Sequence, residues 1–215
     1  MAVRVEVWGD FACFSRPEMK VERISYDVIT PSAARGLLEA IYWHPGMKWR
    51  IDNIYVLSPI CMTNIRRNEV KSKILASNVR GAMTGGRSEL FINTSSDIQQ
   101  RSSLVLQNVH YVIEAHFELT ERANESDNAG KFQDIIKRRL QKGQCFHQPY
   151  FGCREFPARF REWKDDVISS IEETRDLGYM LWDMDYSDPK DIRPMFFHAK
   201  LENGIVHVRD CEVLR

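Results

Sequence analysis

Over residues 104–120 the chain alternates with a period of two. Val109, Tyr111, Ile113, Ala115, Phe117 and Leu119 point one way, and His110, Glu114, His116 and Glu118 point the other. Alternation this long predicts a strand with one face on a core and one face polar. The N-terminus repeats it, with Val3, Val5 and Val7 alternating with Arg4, Glu6 and Trp8. Pro31-Ser32 opens a helix whose stripe is Ala34, Leu37, Leu38 and Ile41, and Pro45-Gly46 ends it. Residues 49–62 read as a second strand. The polar cluster at 124–128 caps a helix that buries Phe132, Ile135, Ile136 and Leu140, runs to about Gln141 and stops at Gly143. Short strands and turns follow, with a hairpin expected at Glu202-Asn203-Gly204. The order strand, helix, strand, strand, helix, strand predicts an α+β fold. Its parts are a ferredoxin-like (RRM-type) N-terminal domain over 1–145 and a smaller β-rich C-terminal domain over 146–215.

The 215 residues, 43% hydrophobic and 28% charged, suit a globular protein. No apolar run approaches the ~18 residues of a membrane span, and the N-terminal alternation is not a signal peptide. The five cysteines, at 13, 61, 145, 153 and 211, are odd in number and lack CxxC spacing, so reduced thiols in the cytoplasm are expected. Cys145, His147 and Cys153 suggest a metal site that lacks a fourth ligand, so packing is the better reading and no metal or cofactor is expected.

The formal charge sums to zero, but it is unevenly distributed. Residues 131–164 hold nine Lys/Arg against three acids, and residues 165–215 hold twelve acids against six Lys/Arg. A neutral chain with a strongly basic middle predicts a polyanion-binding face. A second basic stretch, 63–103, is polar and carries Gly81, Gly85 and Gly86 near its centre. It reads as a long basic loop, either a solvated hairpin or a segment that tracks RNA. The candidate RNA-binding residues are Arg66, Arg67, Lys71, Lys73, Arg80, Arg87, Lys137, Arg138, Lys142 and Arg154.

On the second helix Lys131, Arg138 and Lys142 share one flank, and Lys131 falls in the first turn. A cation there opposes the helix dipole at a cost of about 0.3–1 kcal/mol, which makes sense if a phosphate binds. Tyr42 ends the first helix beside its apolar stripe. His44 follows at the helix end, and His110 and His116 lie on the polar face of a strand. His147 lies among Phe146, Tyr150 and Phe151, which either stack on bases or fill a second core.

Gly9-Asp10, Ile41-Tyr42-Trp43-His44-Pro45, Val109-His110-Tyr111, Ala115-His116-Phe117, Gly130-Lys131 and the run from Gly143 to Phe156, GQCFHQPYFGCREF, occur in this order along nearly the whole chain. Together they resemble the type I-C (Dvulg subtype) CRISPR-associated pre-crRNA endoribonucleases, the family-five Cas subunits. The resemblance implies an RRM-like domain with a β-rich C-terminal domain. It also implies metal-independent cleavage of CRISPR repeat RNA beside its hairpin and retention of the 5′ handle of the crRNA in a multi-subunit surveillance complex. The family's catalytic set is a Tyr at the end of the first helix and an adjacent Lys-His pair at the start of the second. Tyr42 and Lys131 match it, and Phe132 stands where the His would be. The resemblance therefore implies Tyr42 and Lys131 as catalytic residues. Another group, His147 or His44, is expected to supply the proton unless the chain binds the handle without cutting.

Overall fold

A computed structural model of the protein describes residues 2–19, 21–86 and 90–215. The alternation over 104–120 belongs to a longer strand, and the remaining strands are arranged around it. In chain order the elements are β1 (Val3–Ala12), β2 (Arg23–Ile24), α1 (Pro31–Ile41), β3 (Met47–Val56), β4 (Cys61–Val70), α2 (Ala76–Met83), β5 (Ile98–Leu119), α3 (Ala129–Lys142), β6 (Arg159–Glu162), β7 (Arg175–Asp185), β8 (Arg193–Leu201), β9 (Ile205–His207) and β10 (Val213–Leu214). The larger sheet runs β6-β1-β5-β3-β9, with β2 and β4 also paired to β5, and the smaller sheet runs β10-β8-β7. All pairings are antiparallel except β2 with β5. Though β6 and β9 lie beyond residue 145, both pair within the larger sheet.

Register converts the sequence pattern into two faces. Val3, Val5 and Val7 stand opposite Ala115, Ile113 and Tyr111, all buried, and Ile51 and Ile54 on β3 continue the row. Helix α1 covers this face with Ala34, Leu37, Leu38 and Ile41, and α3 does so with Phe132, Ile136 and Leu140. Thr30 caps α1 by accepting the Ala33 N–H at 3.1 Å, and Pro31 occupies the first turn, where its missing N–H costs nothing. Leu177, Met180, Phe197 and Leu201 of the smaller sheet join the same core, and a bidentate pair from Arg35 on α1 to Asp183 on β7 (2.8 and 2.9 Å) ties its edge.

The opposite face is polar and internally paired. Glu6, 3% exposed, accepts from His110 Nε2 at 2.8 Å and pairs with Arg161, which also lies over the Trp8 ring. Glu114 accepts from Arg4, Asn53 and Tyr55, and Asp52 lies 2.8 Å from His116 Nδ1.

Three expectations change. The strand expected over 49–62 is two strands, because Ser58-Pro59 turns the chain and Pro59 has no N–H for the ladder. The long basic loop expected over 63–103 is mostly regular structure. β4 and the N-terminal half of β5 form a ribbon from Cys61↔Gln107 to Val70↔Ile98, and α2 lies at its tip. Beyond Ile65 and Ser103 neither strand of the ribbon buries a residue, so its outer half carries little apolar alternation. The C-terminal region holds two substantial strands, β7 and β8, rather than only short ones. The hairpin at Glu202-Asn203-Gly204 forms, with positive φ at Asn203 and Gly204. No helix among the described residues is long and apolar enough to cross a membrane.

Two predictions follow from the packing. Gly152 has φ +77°, and a Cβ there would overlap the Cys13 carbonyl oxygen. Gly152→Ala is expected to cost on the order of 2–4 kcal/mol, read as a lower Tm by calorimetry. Burial pushes the Glu6 carboxyl up, but hydrogen bonds from Arg161 and His110 outweigh it and hold Glu6 below the usual carboxylate range. Its stabilisation is therefore present above the unfolded value of about 4.3 and lost as pH falls through the lower folded value. Glu6→Gln should lower Tm at pH 7, with the gap to the natural protein closing in acid.

Candidate active site and RNA-binding face

Helix α1 ends at Ile41, and Tyr42 caps it in an extended conformation, its N–H still donating to the Leu38 carbonyl at 2.9 Å. Trp49 Nε1 donates to the Tyr42 carbonyl at 3.0 Å and fixes the turn. From α3, the Arg139 guanidinium donates to the Ile41 carbonyl at 2.6 Å and lies 5.0 Å from the Tyr42 ring centroid. Arg139 thus satisfies a carbonyl at the negative end of α1 and places a cation on the ring face. Burial raises the Tyr42 phenol above its ordinary value, only partly opposed by Arg139 and Lys131. The phenol is therefore protonated at neutral pH and can donate a hydrogen bond.

Lys131 stands at the opening of α3. Asn128 caps the helix, its Oδ1 accepting the Lys131 N–H at 2.9 Å, and Lys131 Nζ donates to Asp127 Oδ1 at 2.9 Å. The Asn124 N–H, with Lys131 second, holds the Asp127 carboxyl below its ordinary value. Asp127 Oδ2 lies 3.8 Å from His44 Nδ1, which accepts the Gly46 N–H at 3.1 Å. Phe132 is completely buried, with the rings of His44 (5.1 Å), Phe117 (6.0 Å) and Tyr42 (6.2 Å) around it.

A phenol, an imidazole, a carboxylate, an ammonium and a guanidinium thus gather where α1 ends and α3 begins. Such a set can donate and transfer protons and can stabilise a dianionic phosphorane. Of the sequence candidates, Tyr42, His44 and Lys131 lie in this cluster. His147 lies on the neighbouring turn: its N–H and that of Phe146 donate to the Ala40 carbonyl (3.0 and 2.9 Å), and its exposed ring packs on Phe146 at 4.3 Å. Arg139 and Asp127 were not singled out from sequence. Arg139 follows Phe132 by two helical turns and Asp127 precedes Lys131 by four residues, so helical spacing carried a signal for both. Among the described residues no three His, Cys, Asp or Glu side chains gather as a metal site. Cys153 instead lies beside the Arg23 guanidinium (3.7 Å) and the Cys13 carbonyl (4.0 Å).

The candidate RNA contacts separate by orientation. Arg66, Lys71, Lys73, Arg80, Lys137, Arg138, Lys142 and Arg154 are exposed, and within the described residues none pairs with a carboxylate. Arg67 turns inward, donating to Ser103 Oγ at 2.8 Å and pairing with Glu155, so it ties the ribbon to the 151–156 segment. Arg87 lies outside the described residues.

The Cas5d family model, described as CRISPR-associated protein (Cas_Cas5), matches residues 2–209. The chain belongs to the Cas5d family. A Cas5d from Mannheimia succiniciproducens, named CRISPR pre-crRNA endoribonuclease Cas5d, is 50% identical over 213 residues, covering 96% of this chain and 94% of the relative. A Thermus thermophilus Cas5d of the same name is 40% identical over 223 residues, covering 96% and 90%. Among solved structures, a CRISPR-associated protein aligns with a TM-score of 0.71 at 21% identity, covering 100% of this chain and 97% of that one. A functionally uncharacterized protein, SMU1763c from Streptococcus mutans, aligns with a TM-score of 0.70 at 21% identity and the same coverage. These likenesses show the mixed α and β fold of Cas5d.

Arg138 and Lys142 are the exposed cations of α3 nearest its C-terminal end. Replacing both with Ala is expected to weaken RNA binding and reduce the slope of log K against log salt by up to ~2, one unit per lost phosphate contact. Titrations at several salt concentrations measure this directly.

Proposed function

We propose that this protein is a pre-crRNA endoribonuclease that cuts CRISPR repeat RNA beside its hairpin in the cytoplasm, in the service of antiviral defence. It keeps the 5′ handle of the crRNA and joins the other subunits of a type I-C surveillance complex. The observation that carries this reading is the cluster of Tyr42 and Lys131 at the junction of α1 and α3, in a chain 50% identical to a Cas5d of that name.

Cleavage proceeds by attack of a 2′-hydroxyl on the adjacent phosphorus, giving a 2′,3′-cyclic phosphate and a 5′-hydroxyl without a metal ion. The reaction needs a path for the 2′-OH proton, charge stabilisation at the phosphorane and a proton for the leaving 5′-oxygen. Tyr42, kept protonated by burial, orients the nucleophile or a non-bridging oxygen through its O–H. Lys131 and the free N–H groups of the first turn of α3 hold the phosphate, Lys131 keeping two N–H donors beyond its bond to Asp127. Exposed cations on the β4–β5 ribbon and α3 bind the flanking phosphates.

The same reading assigns β1, α1, β3, β5, α3 and β6 to a ferredoxin-like unit, supported by the strand order β6-β1-β5-β3, and β7, β8 and β10 to a smaller β-rich unit. A second reading, handle binding without cleavage, is favoured by Phe132, whose buried apolar ring offers no proton.

Incubation of the pure protein with repeat RNA in excess EDTA separates these readings. Cleavage is expected to persist, and a single 2′-deoxy nucleotide 5′ of the scissile phosphate is expected to abolish it. A strict Mg²⁺ requirement rejects the metal-free route, and RNA binding without any cut establishes the second reading.

A further inference from the structure

Each of the six imidazoles has a definable environment. His110 is bonded to Glu6 and His116 to Asp52, both on the polar face of the large sheet. His198 faces Asp176 on the smaller sheet, and His207 on β9 faces Asn53 on β3. His147 packs on Phe146. His44 alone shares the cluster with Tyr42 and Lys131: its ring lies against Phe132, the residue after Lys131, and Asp127 bridges it to the Lys131 ammonium.

Its surroundings orient the ring. Nδ1 faces both the Gly46 N–H at 3.1 Å and Asp127 Oδ2 at 3.8 Å, so that nitrogen meets a donor when bare and a carboxylate when protonated. Gly46 leaves no room for change, since a Cβ there would stand 2.9 Å from Ala123 Cα and 3.1 Å from both Asp127 Oδ2 and His44 Nδ1. With Nδ1 held in this way, Nε2 is the nitrogen left for a ligand, and the side chain is 29% exposed. A carboxylate within ion-pair distance of one nitrogen, with the other nitrogen free to meet substrate, suits an acid–base histidine.

We propose that His44, positioned by Asp127 and Gly46, is the general acid that protonates the leaving 5′-oxygen during repeat-RNA cleavage. The proposal rests on the reading of the protein as a metal-free endoribonuclease. The 2′-oxygen forms its bond to phosphorus and its proton passes to water. The phosphorus–O5′ bond breaks as the imidazolium Nε2–H passes its proton to O5′. The neutral ring is left with its proton on Nδ1, which exchanges the Gly46 N–H bond for Asp127, and Nε2 regains a proton from solvent. Asp127 and Gly46 are positioning residues, and Lys131 shares the same carboxylate, which couples phosphate binding to the state of the ring.

The test compares single-turnover cleavage, in EDTA, of repeat RNA with that of the same RNA carrying a bridging 5′-sulfur, whose thiolate leaves without protonation. His44→Ala is expected to cut ordinary RNA ~10²–10⁴-fold more slowly than the natural protein and the sulfur-substituted RNA at close to the natural rate. His44→Gln, which keeps a polar side chain of similar bulk, provides the same comparison if the Ala variant does not fold. Equal loss on both substrates means a structural role and overturns the proposal. So does undiminished cutting of ordinary RNA, or loss and sulfur rescue in His147→Ala instead. If the natural protein cuts neither RNA, the endoribonuclease reading itself fails and the proposal with it; if it cuts both, only the assignment to His44 is at stake.

Discussion

β5 carries hydrogen-bond ladders to four other strands, and the larger sheet is built around it. Its C-terminal half lies between β1 and β3, and its N-terminal half pairs with β4 and touches β2. Central position on both sides satisfies its backbone groups over most of its length, as burial requires. Register then follows from side-chain chemistry, because a slip of one residue would send Ile113 and Tyr111 to the polar face and bring Glu114 and His110 into the core. The polar face adds its own constraint, since Glu6 is buried there and tolerable only while Arg161 and His110 pair with it.

That frame determines where chemistry is possible. α1 leaves the sheet after β2 and returns to it at β3, so its C-terminus, with Tyr42 and His44, lies at the end of the sheet where β3 begins. β5 ends at the same edge, opposite Met47, and its connection delivers Asp127 and Lys131. Phe132 is the physical link. Its ring fills the space among Tyr42, His44 and Phe117, so apolar packing aligns the polar groups around it. A buried aromatic next to Lys131 thus positions its polar neighbours by packing alone.

Much of this was legible in the sequence, for identifiable reasons. Strict periodicity revealed β1, α1, β5 and α3, since each packs one face on the core and the cap residues Thr30 and Asn128 bound the helices. The outer half of the β4–β5 ribbon was illegible because neither of its faces packs on the core there, which removes the apolar alternation that marks a strand. Arg67 shows the limit for charged residues. Its type matches its neighbour Arg66, but the strand's period of two sends it to the opposite face, onto Ser103 and Glu155. Tyr42 and Lys131 were singled out by motif, whereas the approach of His44 to Asp127 depends on two loops meeting, which no local pattern encodes.

Charge separation within a neutral chain gains meaning from this placement. The exposed cations of α3 and the ribbon are unpaired within the described residues, while the cations near the cluster are restrained, Lys131 by Asp127 and Arg139 by the Ile41 carbonyl. Exposed cations attract a polyanion over distances of about a Debye length and release counterions without fixing its position. Restrained cations lose less freedom when a phosphate arrives, so they can select the one geometry in which a 2′-oxygen, a phosphorus and a 5′-oxygen lie in line. On the proposed reading, binding strength and cutting position fall to different cations. For that reason salt should act mainly on the first, and small displacements around Phe132 mainly on the second.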